Sequence, residues 1–265
     1  MRTALDLAAL SPRFLALMTE AGDLLRLRNE QPRTIRLKGR IDLVTETDVA
    51  VEDFLCGRLN DICPQADIVA EERSGDRALP SLCWIVDPVD GTTNFAHGLP
   101  FVGISVALVR DGVPVLGAVN APLLNELFHA VEGGGAWLNG RPISVSRRPT
   151  LEESLAATGF PYDMEKGLAR VLARMEAFLP RCRGLRRCGA ASVDLAWTAC
   201  GRYDLYYETD LKPWDTAAGI LLVQEAGGRV THCDGSPVEL SRGDVLASSG
   251  LVHEEALVVL RDARL

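Results

Sequence analysis

The chain contains no Cys-x-x-Cys pair and no cysteine–histidine spacing of the zinc-binding kind, although it carries seven cysteines and four histidines. An odd, scattered set of cysteines also gives no disulfide framework, so the thiols are expected to be reduced. Cys56, Cys63, Cys83, Cys188 and Cys200 have apolar neighbours and read as small core residues rather than nucleophiles. Of these, Cys188 precedes a candidate substrate loop and is the one whose reactivity merits testing. A signal-like apolar core is missing near the start, where Asp6, Arg13 and Glu20 interrupt the pattern, and no later segment reaches membrane-spanning length. The expected location is therefore cytoplasmic. Internal repeats, low-complexity runs and linkers are also lacking. The formal charge of −8 argues against an electrostatic partnership with nucleic acid or an anionic membrane surface. It also predicts that any anionic substrate is attracted by local cations rather than by the overall field. What is present is a 265-residue chain with 47% hydrophobic content, enough for one sizeable core or two joined ones.

The chemistry is concentrated where short apolar runs end in acids. Trp84 to Val86 read as a buried strand, followed by Asp87-Pro88-Val89-Asp90-Gly91-Thr92. Pro88 stiffens this turn, and Gly91 lets the backbone approach a ligand before Thr92 opens the next element. Asp67 to Ala70 form a second such run, ending in Glu71-Glu72, and Pro213-Trp214-Asp215 places an acid in the first turn of a helix. Taken singly, these are ordinary surface turns, solvated pairs and helix-terminal acids. Together they deliver hard oxygen ligands from three segments, which favours magnesium or manganese over zinc or copper. A phosphate beside two carboxylates is repelled by about 4 kcal/mol per charge pair at 4 Å and an effective dielectric near 20. Phosphate binding here therefore implies metal.

The periodicity predicts a helix capped by Ser11-Pro12 and running to about Arg28, then an extended hairpin or mobile loop over Thr34 to Val44, then a second helix. Val51, Phe54, Leu55, Leu59 and Ile62 mark the buried face of that second helix, and Asp48 reads as its cap. Strands follow at Phe101 to Val109 and Val113 to Asn120, joined at Asp111-Gly112, then at Glu126 to Val131 and Ala136 to Leu138. The run Gly133-Gly134-Gly135 lacks the Lys-Ser/Thr of a phosphate loop and reads as a sheet turn. Beyond Arg147, helices and strands alternate, with helices near Glu165 to Leu179, Ser192 to Cys200 and Trp214 to Glu225. An α+β half over residues 1–147 and an α/β half over 148–265 result, with a site expected in the cleft between them.

Several ordered motifs resemble those of the inositol monophosphatase family. They are Lys38 to Asp48, Glu71-Glu72, Asp87 to Phe95, Arg186-Arg187-Cys188-Gly189-Ala190-Ala191-Ser192, Leu211 to Asp215 and Glu225-Ala226-Gly227-Gly228. The likeness covers nearly the whole chain and is closest to bacterial members. It implies an α+β fold, a layered α-β-α-β-α sandwich, and a magnesium-dependent, lithium-sensitive phosphomonoesterase acting on myo-inositol monophosphate or a similar small polyol phosphate. Carried over by position, Glu71, Asp87 and the carbonyl of Val89 would hold one magnesium, and Asp87, Asp90 and Asp215 a second, with a third, weaker ion near Glu71. Asp48 and Thr92, with Glu71 close by, would orient and help deprotonate the attacking water.

By the same likeness, the phosphate would meet the Asp90-Gly91-Thr92-Thr93 turn and Asp215, while Gly189, Ala190, Ala191 and Glu208 would face the sugar hydroxyls. Ala190 departs from inositol-cleaving relatives, where a Thr or Ser commonly stands, so inositol selectivity is less secure than phosphatase activity. Lys38 would approach the site on its loop. A homodimer is the family habit, and Arg186 and Arg187 are candidates for pairing across it. Fructose 1,6-bisphosphate, histidinol phosphate and an adenosine phosphate stay open as substrates. A regulatory binding protein retaining the fold is the alternative of another class.

Overall fold

The structure is a computed structural model that describes residues 5–31, 35–37, 43–75, 78–161 and 163–263. Helix α1 (Leu7–Asn29) starts one turn earlier than the Ser11-Pro12 signal suggests, because the Asp6 side chain accepts the Ala9 N–H at 3.1 Å. Pro12 is carried inside the helix and gives up one backbone hydrogen bond. Strands β1 (Ile35–Leu37) and β2 (Leu43–Thr45) pair antiparallel, as the hairpin reading expects. Helix α2 (Glu46–Ile62) packs on α1 through Phe14, Leu17, Leu25, Val51, Leu55 and Leu59, all buried.

A seven-stranded sheet follows in the order β3-β4-β5-β6-β7-β8-β9. Its members are β3 (Asp67–Ala70), β4 (Leu82–Asp90), β5 (Gly103–Arg110), β6 (Val113–Ala121), β7 (Glu126–Val131), β8 (Gly135–Leu138) and β9 (Arg141–Pro142). The short helices α3 (Glu71–Ser74) and α4 (Thr92–Ala96) leave the ends of β3 and β4. Strand β3 runs parallel to β4, and the other pairs are antiparallel. The Asp111-Gly112 hairpin turns on two positive φ angles, 50° and 81°.

A second sheet, ordered β11-β10-β12-β14-β13, comprises β10 (Leu155–Thr158), β11 (Gly184–Arg186), β12 (Leu205–Glu208), β13 (Arg229–Thr231) and β14 (Val245–Ser248). Helices α6 (Ala191–Ala199) and α7 (Pro213–Glu225) lie between the sheets. Helices α5 (Met164–Phe178) and α8 (His253–Asp262) cover the far face of the second.

Three apolar clusters bond the layers, and the strand period of two decides which residue joins which. In β4 and β5, Trp84, Val86, Ile104, Val106 and Leu108 face α1 and α2, while Cys83, Ile85, Ala107 and Val109 face α6 and α7. A sheet buried on both faces explains why these strands read as continuous apolar runs. The α6–α7 contact depends on small residues: a Cβ on Gly219 would lie 2.5 Å from Leu195 Cβ. The third cluster joins Phe178, Leu205, Tyr207, Leu246 and Leu257. The architecture is α+β, with five layers ordered α-β-α-β-α.

All seven cysteines are free. Cys56, Cys63 and Cys83 are buried, whereas Cys188 and Cys200 are half-buried. Among the described residues no helix is long and apolar enough to cross a membrane.

Candidate functional site

Strand β4 extends past the expected Val86 to Asp90, and an irregularity at its end shapes the site. Asp87 pairs with Ser105 and Asp90 with Gly103, so three steps on β4 match two on β5. In a regular strand, residues three apart point to opposite faces. The extra residue of this bulge resets the alternation and sends both carboxylates to one side. Pro88, which has no N–H to contribute to a ladder, lies within the bulge. The Asp87 carboxylate folds back to accept the Val89 N–H at 3.0 Å. Gly91 then takes φ 87°, a left-handed conformation that suits glycine, and α4 begins at Thr92.

Asp48 is the third residue of α2, not its N-cap as the sequence suggested. The cap is Thr45, and Asp48 closes a capping box by accepting the Thr45 N–H at 2.8 Å and the Thr45 hydroxyl. That box uses one oxygen, and the other accepts the Thr92 hydroxyl at 3.1 Å. Thr92 Oγ also lies 2.9 Å from the Val89 carbonyl. One hydroxyl proton serves only one of these acceptors at a time. Burial raises the Asp48 carboxyl above the ordinary carboxylate range, opposed by its bonds to Thr45 and Thr92.

Asp215 occupies the same third position in α7 and accepts the Lys212 N–H at 2.6 Å. Asp90 is tied to α6 by the Ser192 N–H at 2.7 Å and the Ser192 hydroxyl at 2.6 Å. Glu71 opens α3, which buried Glu52 anchors by accepting the Glu72 N–H and the Arg73 guanidinium, both at 2.8 Å. The N-terminal ends of α2, α4, α6 and α7 thus bear on the acids, and their dipoles favour negative charge there.

The acids still repel one another. Burial first, then the charges of Glu71, Asp90, Asp215 and Asp48, push the Asp87 carboxyl well above its ordinary range. Burial and the Asp90 charge do the same to Asp215, while burial raises Asp90 against its Ser192 bonds. Among the described residues no three His, Cys, Asp or Glu side chains close tightly enough to hold an ion as they stand. Asp87, Asp90 and Asp215 face one another with like charge, each turned partly to a backbone donor. The donors are all oxygen, and burial together with the repulsion felt by Asp87 and Asp215 disfavours their charged forms, so a divalent hard cation fits this set.

Beside the acids lies a cavity of about 330 Å³, lined by Asp90, Gly91, Thr92, Thr93, Gly189, Ala190, Ala191, Glu208 and Asp215, together with Phe160, Pro161, Met164, Arg187 and Leu211. Every substrate-facing residue expected from the sequence therefore lines one space. Lys38 lies outside the described residues. Glu208 ends β12, accepts the Tyr206 hydroxyl, and is pushed up to about 7, chiefly by burial. Below it, fully buried Asp194 has no hydrogen-bond partner for either oxygen among the described residues, and burial favours its neutral form. The Cys188 thiol lies 3.2 Å from the Tyr203 hydroxyl, and burial raises it, which lowers its thiolate fraction.

A Cβ on Gly159 would overlap the Glu208 carboxyl group. Gly159→Ala is therefore expected to displace Glu208 and raise KM about tenfold, the size of one lost charged hydrogen bond, with kcat less affected. Steady-state kinetics check this, and an unchanged KM would contradict the placement of Glu208 in the substrate pocket.

Several contributors escaped the sequence reading. Thr45 did carry a signal, the Thr-x-x-acid spacing that makes a capping box with Asp48. Ser192, Glu52, Arg73 and Asp194 gave none, because their roles depend on tertiary approach.

The sequence profile of the inositol monophosphatase family matches residues 8–264. The chain is 44% identical over 224 residues to an inositol-1-monophosphatase from Synechocystis, covering 83% of this chain and 78% of the relative. It is 37% identical over 250 residues to a fructose-1,6-bisphosphatase/inositol-1-monophosphatase from Thermotoga maritima, covering 93% of each. The crystal structure of the extragenic suppressor protein suhB from Bartonella henselae superposes with a TM-score of 0.88 at 34% identity, covering 94% of this chain and 97% of that one.

Proposed function

The chain belongs to the inositol monophosphatase family, and from that membership we propose that it is a magnesium-dependent phosphatase of myo-inositol monophosphate or a similar small polyol phosphate. The observation that carries this reading is the set of mutually repelling acids, Asp87 buried and Glu71, Asp90 and Asp215 half-buried, beside a cavity lined by the Gly91–Thr93 turn. Glu71, Asp87 and the Val89 carbonyl would hold one magnesium, and Asp87, Asp90 and Asp215 a second, with a third ion near Glu71. When bound, these ions supply neutralising charge for the phosphate and a more acidic water.

The remaining work falls to the chain. The backbone N–H groups of Gly91 and Thr92, with the Thr93 hydroxyl, orient the phosphate at the start of α4. The Asp48–Thr92 pair takes the proton of the attacking water, its carboxylate lying 3.1 Å from the hydroxyl. Gly189, Ala190 and Ala191 form the wall against the leaving alcohol, and Glu208 accepts hydrogen bonds from its hydroxyls. Ala190 is only 2% exposed and adds no polar contact, so selectivity rests largely on Glu208 and pocket shape. Cytoplasmic residence and a homodimer belong to the same reading. The paired acids favour an enzyme over a fold-retaining regulator.

A panel of phosphate esters with and without magnesium tests this reading. Magnesium-dependent phosphate release from inositol monophosphate or another polyol ester is expected. No turnover of any ester would overturn it.

A further inference from the structure

Another cavity, of about 350 Å³, shares no lining residue with the one beside the acids. Its walls come from α5, from the turn after β12 and from the segment between β13 and β14. Three arginines and three aspartates line it, and their pairing is uneven. Arg242 donates to Asp234 at 2.6 Å, to Asp244 at 2.9 Å and to the Ser236 hydroxyl at 2.7 Å, which engages all three of its nitrogens. Asp234 and Asp244 are further held by the N–H groups of Ser236 and Cys233, both at 2.9 Å. Arg170 reaches Asp210 with one nitrogen at 2.8 Å. Among the described residues no carboxylate pairs with Arg174, whose charge falls instead on the buried Cys233 thiol and on Tyr207.

Arg170 and Arg174 stand four residues apart on α5 and are therefore neighbours on one face of that helix. Like charges at this spacing repel by about 0.2–0.5 kcal/mol, and Asp210 answers only one of the two. A bridging anion answers both. A carboxylate offers one charge and a geometry that matches a single fork, whereas a phosphate offers up to two charges and enough oxygens for two guanidinium groups. The cavity is wider than an inorganic ion requires, so a small organic substituent also fits. Both arginines line a narrow crevice with Tyr207, Glu208 and Thr209 as well, which sets this face against the back of the strand end that carries Glu208.

We propose that Arg170 and Arg174 form a second anion site, separate from the catalytic cavity, that takes a phosphate group, either free or on a small monoester. The site does not depend on the phosphatase reading, whose failure would show in turnover and not in this binding.

Metal removal separates the two places where phosphate could bind. In chelator the unneutralised acids repel phosphate from the Gly91–Thr93 turn, by about 4 kcal/mol per charge pair at 4 Å and an effective dielectric near 20, while the arginine pair needs no ion. Calorimetric titration of inorganic phosphate, and separately of glycerol 3-phosphate, into the full chain in chelator is the test, with the wild type, Arg174→Ala, Arg174→Lys and Thr93→Ala. Saturable binding to the wild type is expected. Arg174→Ala should weaken it about tenfold or more, as loss of one charge-assisted bond predicts. Arg174→Lys should recover part of the loss, since charge returns without the fork, and Thr93→Ala should bind as the wild type does. Tighter binding of inorganic phosphate identifies the free ion, and tighter binding of glycerol 3-phosphate a monoester; either supports the proposal. No saturable binding to the metal-free wild type would overturn it. Binding unchanged in Arg174→Ala, or lost in Thr93→Ala, would overturn it as well, the last by placing the anion at the catalytic turn.

Discussion

Asp87→Asn is expected to reduce phosphate release roughly 10³-fold or more, the rate equivalent of several kcal/mol of lost cation-dependent stabilisation, while making the protein more heat-stable in a chelator. The two effects share one cause. Asp87 is 1% exposed and surrounded by the charges of Glu71, Asp90, Asp215 and Asp48. An acid whose folded pKa lies above its unfolded value binds more protons in the folded state. Without divalent ions, stability therefore falls as pH rises from the unfolded pKa through the folded one. Asparagine keeps the shape and an acceptor for the Val89 N–H but removes the charge. Each 1 kcal/mol recovered corresponds to about 2–4 °C in Tm for a chain of this size. Asp90→Asn should inactivate equally yet stabilise less, because the Ser192 N–H and hydroxyl lose a charged acceptor. Turnover assays and melting curves in chelator check both variants. A fully active Asp87→Asn, or one with a lower Tm, would contradict this picture.

Thr92→Val and Asp48→Asn are each expected to lower kcat by about 10²–10⁴-fold, the usual contribution of a positioned proton acceptor. The double variant should lose little more than either single one, since the two side chains act as a hydrogen-bonded unit. Asp48→Ala adds a structural effect of about 0.5–2 kcal/mol, because the same carboxylate closes the capping box of α2. Asp48→Asn retains a carbonyl for the Thr45 N–H and separates catalysis from capping. Comparing kcat with denaturation midpoints for the set checks the assignment. Fully additive losses would show that the two residues act independently.

How far the sequence disclosed this arrangement depended on whether a signal was local. The ends of β7 and the Asp111-Gly112 hairpin follow from alternation and turn chemistry, which neighbouring residues decide. Glu71 and Asp87 stood out because each ends an apolar run, Asp90 because it follows in the same turn, and Asp215 because it stands in the first turn of a helix; all four bear on one another through their charges. Local signals competed at Ser11-Pro12, where Asp6 supplied an earlier cap, and at Asp48, where Thr45 did. The bulge that brings Asp87 and Asp90 to one side could not be read, because it exists only in pairing with Ser105 and Gly103. Nor could the approach of Arg187 over Phe160 or the Ser192 bonds that fix Asp90. All of these are contacts between residues far apart in the chain.

Glu71, Asp87, Asp90 and Asp215 are expected to form a divalent-cation site whose charge is the precondition for phosphate binding. Calorimetric titration of magnesium into chelator-stripped wild type and Asp87→Asn tests it most directly. The expected result is saturable binding by the wild type, with proton release as the raised carboxyls ionise, and loss of that binding in the variant. Equal magnesium binding by both proteins, or none by the wild type, would contradict it.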